Sequence, residues 1–148
     1  MRKYLLDTGI VIRIGLDENV TKRFAALDKT RDKVYLSVLT LHEMYYGLSN
    51  AKGTEYENKA RKAIELARNK FRKSILPITE ETAEQFGKIK GDYKEKTGIN
   101  PENLKKHTVD FLLVATAISE GAVLVSPDEI FRLIQEFRTD FEWEDWTK

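Results

Sequence analysis

Between Val109 and Ile118 the chain reads Val-Asp-Phe-Leu-Leu-Val-Ala-Thr-Ala-Ile, eight apolar residues of ten with Asp110 as the only charge. Thr108 stands before the run as a helix cap, and Gly121 follows at the position where helices end. A helix with no wide polar face must be covered on all sides, so the window belongs inside a domain. The rest of the chain has to supply what covers it.

The covering elements show as short apolar runs alternating with helical patterns. Tyr4-Leu5-Leu6 is an expected strand that stops at Asp7-Thr8-Gly9. Residues 34–37, 75–78, 122–125 and 141–146 are expected strands two to five, with Pro77 placing the third at an end or an edge. Between them the spacing predicts helices over residues 10–16 and 19–27, then over 38–48. A longer helix opened by Gly53 and Thr54 carries a stripe of Tyr56, Ala60, Ala63, Ile64, Ala67 and Phe71. Thr79 caps another, which turns Ala83, Phe86, Ile89 and Tyr93 inward and ends near Lys96. Residues 98–106 read as a polar loop, and Pro127 as the start of a last helix. Strands alternating with helices mean an α/β fold with a parallel sheet, and nothing in residues 1–148 marks a linker or a repeat.

Composition narrows the chemistry. With no cysteine, disulfides, thiolate metal sites and cysteine nucleophiles are excluded. The 25 basic and 24 acidic residues leave a net charge of +1, so no global field attracts polyanions, although a local one is open. No apolar run approaches the ~20 residues that span a bilayer. The expectation is a soluble, cytoplasmic protein.

Four carboxylates each stand just after a strand or in the first turns of a helix, and α/β sheets do their chemistry beyond the carboxyl ends of strands. Asp7 closes the first strand. Glu43 follows the second, in Ser-Val-Leu-Thr-Leu-His-Glu-Met-Tyr-Tyr-Gly, with Leu41, Met44 and Tyr45 as core neighbours and His42 as a solvent-facing histidine. Asp110 is the lone charge of the apolar helix, where an unpaired carboxylate is costly unless hydrogen-bonded, paired or metal-bound. Asp128 and Glu129 follow the fourth strand, in Val-Leu-Val-Ser-Pro-Asp-Glu-Ile-Phe. Each acid alone is explained by a turn or a helix N-terminus. Together they would converge at one sheet edge, where they repel one another unless cations are bound. Hard ions such as Mg²⁺ or Mn²⁺ suit oxygen ligands, and such a site hydrolyses phosphodiesters.

These four segments, in order, spacing and total length, resemble the PIN-domain ribonucleases, and within them the VapC-type toxins of prokaryotic toxin–antitoxin pairs. The resemblance covers essentially the whole chain, residues 1–148, as a single PIN domain. It implies a three-layer α/β/α sandwich around a mostly parallel sheet of four or five strands. It also implies Mg²⁺- or Mn²⁺-dependent endonucleolytic cleavage of RNA, homodimers, and a small antitoxin that blocks the active-site groove. Asp7, Glu43 and Asp110 fall on the three core acids, Asp128 on the fourth, and Thr8 on the hydroxyl after the first. Gly9 stands where many relatives have asparagine, Ser126 replaces the usual threonine, and Ile130 stands in place of a second aspartate, for which Glu129 is the compensating candidate. On this reading Asp7, Asp110 and Asp128 hold the metal, Glu43 completes the metal shell or orients the attacking water, and Thr8 and Ser126 orient carboxylates. Arg13, Lys22, Arg23, Lys105 and Lys106 are candidate phosphate contacts. Tyr45, Tyr46, Trp143 and Trp146 are read as packing residues before stacking ones. The alternatives are a stand-alone RNA-processing nuclease of the same fold and a catalytically silent PIN scaffold that acts by protein binding. An aspartyl-phosphate phosphatase is disfavoured, because Gly9 stands where its second aspartate would be.

Overall fold

The computed structural model describes residues 1–148. Five short strands, β1 (Lys3–Leu6), β2 (Lys33–Ser37), β3 (Ile75–Leu76), β4 (Val123–Val125) and β5 (Trp143–Glu144), form one sheet in the order β3-β2-β1-β4-β5. Every pairing is parallel, with Leu5 opposite Tyr35 on one side and Leu124 on the other. Eight helices connect and cover the strands: α1 (Thr8–Val11), α2 (Glu18–Ala26), α3 (Val38–Ala51), α4 (Glu57–Lys70), α5 (Glu80–Thr97), α6 (Pro101–Lys105), α7 (Thr108–Glu120) and α8 (Ile130–Phe137).

Alternation along the pleat sends successive side chains to opposite faces, and this builds two cores. Leu5 and Leu124 join α5, α7 and α8 through Ile89, Phe111, Val114 and Phe131. Tyr4, Leu6, Val123 and Val125 join α1, α2, α3 and α4 through Ile10, Val20, Met44, Ile64 and Ala67. The result is the expected α/β/α sandwich. Helix α7 buries Phe111 and Leu113 through Ala117, and Gly121 ends it with a left-handed φ of 63°. Truncating a residue such as the fully buried Leu5 to alanine would cost about 2–5 kcal/mol. No helix is long and apolar enough to cross a membrane.

The structure corrects several local expectations. The polar loop at 98–106 contains α6, because Asn100 caps the Asn103 amide at 2.9 Å, Pro101 opens the helix and Leu104 anchors it in the core. That short helix moves the next cap. His107 occupies the cap position of α7, and the Thr108 hydroxyl donates back to Lys105 O at 2.7 Å. Pro127 does not start a helix, since the Ser126 hydroxyl accepts the Asp128 amide at 3.1 Å and holds a turn, and α8 begins at Ile130. Helix α1 stops at Val11, short of the expected Leu16. Tyr56 lies before α4 and is exposed, and Thr82 takes the inward position expected of Ala83.

Chain order sets where a ligand can bind. From β1 the chain steps outward to β2 and β3, then crosses back to the far side of β1 as β4. The sheet therefore has its topological switch point between β1 and β4. Crevices of this kind, at the strands' carboxyl ends, are where open α/β sheets take ligands.

Candidate active site at the switch point

Asp7 and Ser126 are the residues that leave β1 and β4 side by side. The Asp7 amide extends the ladder to Val125 O at 2.9 Å, and the buried Ser126 hydroxyl donates to Asp7 Oδ2 at 2.6 Å. Because the same hydroxyl accepts the Asp128 amide, one serine ties the first acid to the loop of the fourth. The serine backbone is pinned in turn, its N–H on Glu144 O at 3.1 Å and its carbonyl accepting from Trp143 Nε1 at 2.9 Å. Gly9 has a steric reason here. A Cβ at Gly9 would lie 3.1 Å from the Pro127 ring, so the missing side chain lets the Ser126–Asp128 turn close over α1.

The electrostatics follow from burial. Asp7 is 6% exposed, and desolvation pushes its pKa up, with the charges of Asp128 and Asp110 adding to the rise and the Ser126 bond opposing it. Glu43, on α3, is raised first by burial and then by Asp7 and Asp110. Asp110, on α7, is raised by burial, pulled back by His107 and raised again by Asp128. Desolvation and like charge both favour the protonated acid. Asp128 is exposed at the rim. The four acids named from the sequence thus share one field, and none of them has a lysine or arginine partner; the one basic side chain against them is His107, whose Nδ1 lies 3.2 Å from Asp110 Oδ2.

The other candidates separate. Glu129 turns away from the site into ion pairs with Arg132 at 2.8 Å and Lys148 at 3.6 Å, which hold its pKa down, so it does not share the fourth acidic position. Arg13 folds back to donate to Gly9 O. Lys22 pairs with Glu18, and Arg23 pairs with Glu144 over the Trp146 ring. Lys105 and Lys106 are exposed directly before α7. Trp146 is core, Trp143 is half-buried, and Tyr45, Tyr46 and His42 are exposed. The sequence reading missed His107. The signal was available, since a histidine three residues before the lone acid of an apolar helix lies on the same helical face.

Whether a hard divalent cation fits depends on the donors. As they stand the acids are not drawn into a three-ligand cage. Mg²⁺ does not demand one, since it keeps several waters and binds through one or two carboxylates plus phosphate oxygens. The donor set is entirely hard oxygen. The Thr8 hydroxyl lies near enough to Glu43 to lower its pKa, yet this buried oxygen closes no hydrogen bond of ordinary geometry. A buried hydroxyl without a partner calls for a water or an ion beside it. The residues fit the group.

From Thr8 and Glu43 a groove of about 1020 Å³ runs along α1, α3 and α4 to Phe71. Val11, Ile14, Met44 and Ala63 make it apolar, and Lys59, Lys62 and Lys70 line its side on α4.

Comparison with known proteins agrees with this architecture. A family model described as PIN domain matches residues 4–136. "Ribonuclease VapC1" of Haemophilus influenzae is 28% identical over 149 residues, covering 98% of each chain. Among solved structures, VapBC-1 from nontypeable Haemophilus influenzae aligns with 26% identity and a TM-score of 0.70 over 99% of each chain. VapBC2 from Rickettsia felis, solved bound to a DNA fragment of its promoter, aligns with 20% identity and a TM-score of 0.75, covering 97% of this chain and 98% of that one.

Proposed function

The chain belongs to the PIN-domain family, and from that premise we propose that it is a Mg²⁺- or Mn²⁺-dependent endoribonuclease, the toxin of a cytoplasmic toxin–antitoxin pair. The observation that carries this reading is the set of acids at the switch point, desolvated, mutually repelling and given no arginine or lysine. The domain covers residues 1–148, since beyond the family match at 136 the chain still adds β5 to the sheet and Trp146 to the core.

Asp7, Asp110 and Asp128 would hold the cation, with Thr8 and Glu43 beside it. Once bound, it would offset their repulsion and polarise a phosphodiester. Ser126 aims Asp7 by donating to Oδ2 and opposes the rise that burial imposes on its pKa, and through the Asp128 amide it keeps the rim acid near. Glu43 has two roles open to it. It completes the cation's ligands, or it uses its raised proton affinity to take the proton of the attacking water. Water attacks phosphorus in line, the bond from phosphorus to O3′ breaks, the leaving O3′ takes a proton from solvent, and the products are a 5′-phosphate and a 3′-hydroxyl. No side chain serves as nucleophile. Lys105 and Lys106 supply phosphate contacts on the α7 side.

The antitoxin segment would lie in the groove beside Thr8 and Glu43, its apolar side chains against Val11, Ile14 and Met44 and its acids toward Lys59, Lys62 and Lys70. The toxins in the solved VapBC assemblies support such a partner. A homodimer belongs to the same reading and is checked by light scattering.

The decisive assay is cleavage of a structured RNA by the purified chain in Mg²⁺ or Mn²⁺. The expected result is cleavage that EDTA abolishes and that Asp7→Asn and Asp110→Asn lose. Equal behaviour of the wild type and both variants, or indifference to EDTA, overturns the proposal.

A further inference from the structure

We infer that His107 is a positioning residue for Asp110, fixing one carboxylate oxygen so that the other faces the cation and phosphate. The inference rests on the acidic site reading above and deepens it. Three observations build it. His107 Nδ1 lies 3.2 Å from Asp110 Oδ2, and Asp110 Oδ1 makes no hydrogen bond within the protein. An ionised carboxylate only accepts, so the ring must donate through Nδ1. Moreover, His107 holds the cap position of α7, where a side chain normally satisfies a free backbone amide, yet its side chain caps nothing. It is given to Asp110 instead.

The ring itself is held from two sides. Its centroid is 5.7 Å from that of Tyr93 and 6.0 Å from that of Phe111, both buried. The backbone is held as well, with the His107 amide donating to Leu104 O at 3.2 Å and its carbonyl accepting the Phe111 amide at 2.9 Å. The short helix α6, anchored by Leu104, thus sets the corner from which His107 reaches Asp110. Partners that orient a metal-binding carboxylate alter metal affinity or activity by about 10- to 100-fold when removed.

The experiment compares wild type with His107→Phe, His107→Asn and Asp110→Asn. Phenylalanine keeps a ring against Tyr93 and Phe111 but has no nitrogen. Asparagine places an N–H donor on Cγ, where histidine carries Nδ1. Mn²⁺ is titrated into metal-free protein and free Mn²⁺ is read by electron paramagnetic resonance, with RNA cleavage followed in parallel. The expected result is Mn²⁺ binding about tenfold or more weaker in His107→Phe, with kcat reduced and KM for RNA little changed, and both restored to within about threefold in His107→Asn. Should His107→Phe melt below the assay temperature, the contrast between His107→Asn and His107→Ala replaces it. Wild-type Mn²⁺ affinity and kcat in His107→Phe overturn the inference, and so does an equal loss in the phenylalanine and asparagine variants. In either case Asp110→Asn still losing Mn²⁺ leaves the acidic-site reading intact. Asp110→Asn binding Mn²⁺ like wild type overturns both.

Discussion

Two groups of acids in this chain are treated in opposite ways. At the corner where α8 leaves toward β5, the Arg138 side chain is 14% exposed and holds Asp140 at 2.9 Å, Asp92 at 3.2 Å and Gln85 at 3.3 Å. The guanidinium keeps Asp140 below the usual carboxylate range and ties α5 to the segment before β5. At the switch point Asp7, Glu43 and Asp110 are pushed the other way, with no lysine or arginine paired to them and only the His107 ring against Asp110. The chain can neutralise its acids with arginine where structure needs it. Leaving three desolvated carboxylates without a lysine or arginine costs stability, and on the proposed reading a bound cation would supply the missing charge.

The sharpest contrast is in activity. Asp7→Asn and Asp110→Asn are expected to lose RNA cleavage by at least about a hundredfold, roughly 3 kcal/mol of barrier, while Asp140→Asn leaves cleavage at the wild-type rate. Single-turnover rates on one RNA check both, and comparable losses at the two sites would erase the distinction.

Stability should invert that ranking. Arg138→Met leaves Asp92 and Asp140 without their cation, and since both are about half exposed the loss is discounted to about 1–2 kcal/mol. Urea denaturation reads it, and cleavage well below the melting temperature stays unchanged.

A smaller effect separates the two groups by pH. Asp140 has its folded pKa depressed, so its contribution is present above its unfolded value and lost as pH falls through the folded one. Asp7, Glu43 and Asp110 have raised folded values, so their relative stabilisation is present below the unfolded value and lost as pH rises through the folded ones. Metal-free wild type should therefore lose melting temperature as pH climbs from about 4 past the ordinary carboxylate range. Asp7→Asn should show a shallower fall, and identical pH slopes would contradict the assignment of charge to Asp7.

Much of this geometry was legible before any coordinates. Asp7 stands out because an apolar strand ends on it, and Asp110 because it is the only charge in an apolar helix. The shared edge of the strand-end acids Asp7 and Asp128 follows from parallel strands, and Asp110 reaches it from the start of its helix. What could not be read depends on partners distant in sequence. Glu129 looks equivalent to Asp128 until Arg132 and Lys148 are placed beside it. The same holds for Gly9, whose vacancy makes sense only once Pro127 packs against it, 118 residues later in the chain. His107 was overlooked for a local reason: Thr108 looked like the better cap, and the helix α6 that displaces the cap hides in a polar segment with Pro101.

The central claim is that the switch-point acids, given no lysine or arginine, hold a divalent cation. It is tested most directly by thermal denaturation of wild type and Asp7→Asn at neutral pH, each with and without Mn²⁺. Without metal, Asp7→Asn should be the more stable, because it removes a buried repelled charge. With Mn²⁺ at about a hundred times its dissociation constant, wild type should gain about 2.7 kcal/mol and overtake the variant, which gains little. A crossing of the two melting curves is the predicted result. Equal Mn²⁺ shifts in both proteins, or none in either, would contradict the claim.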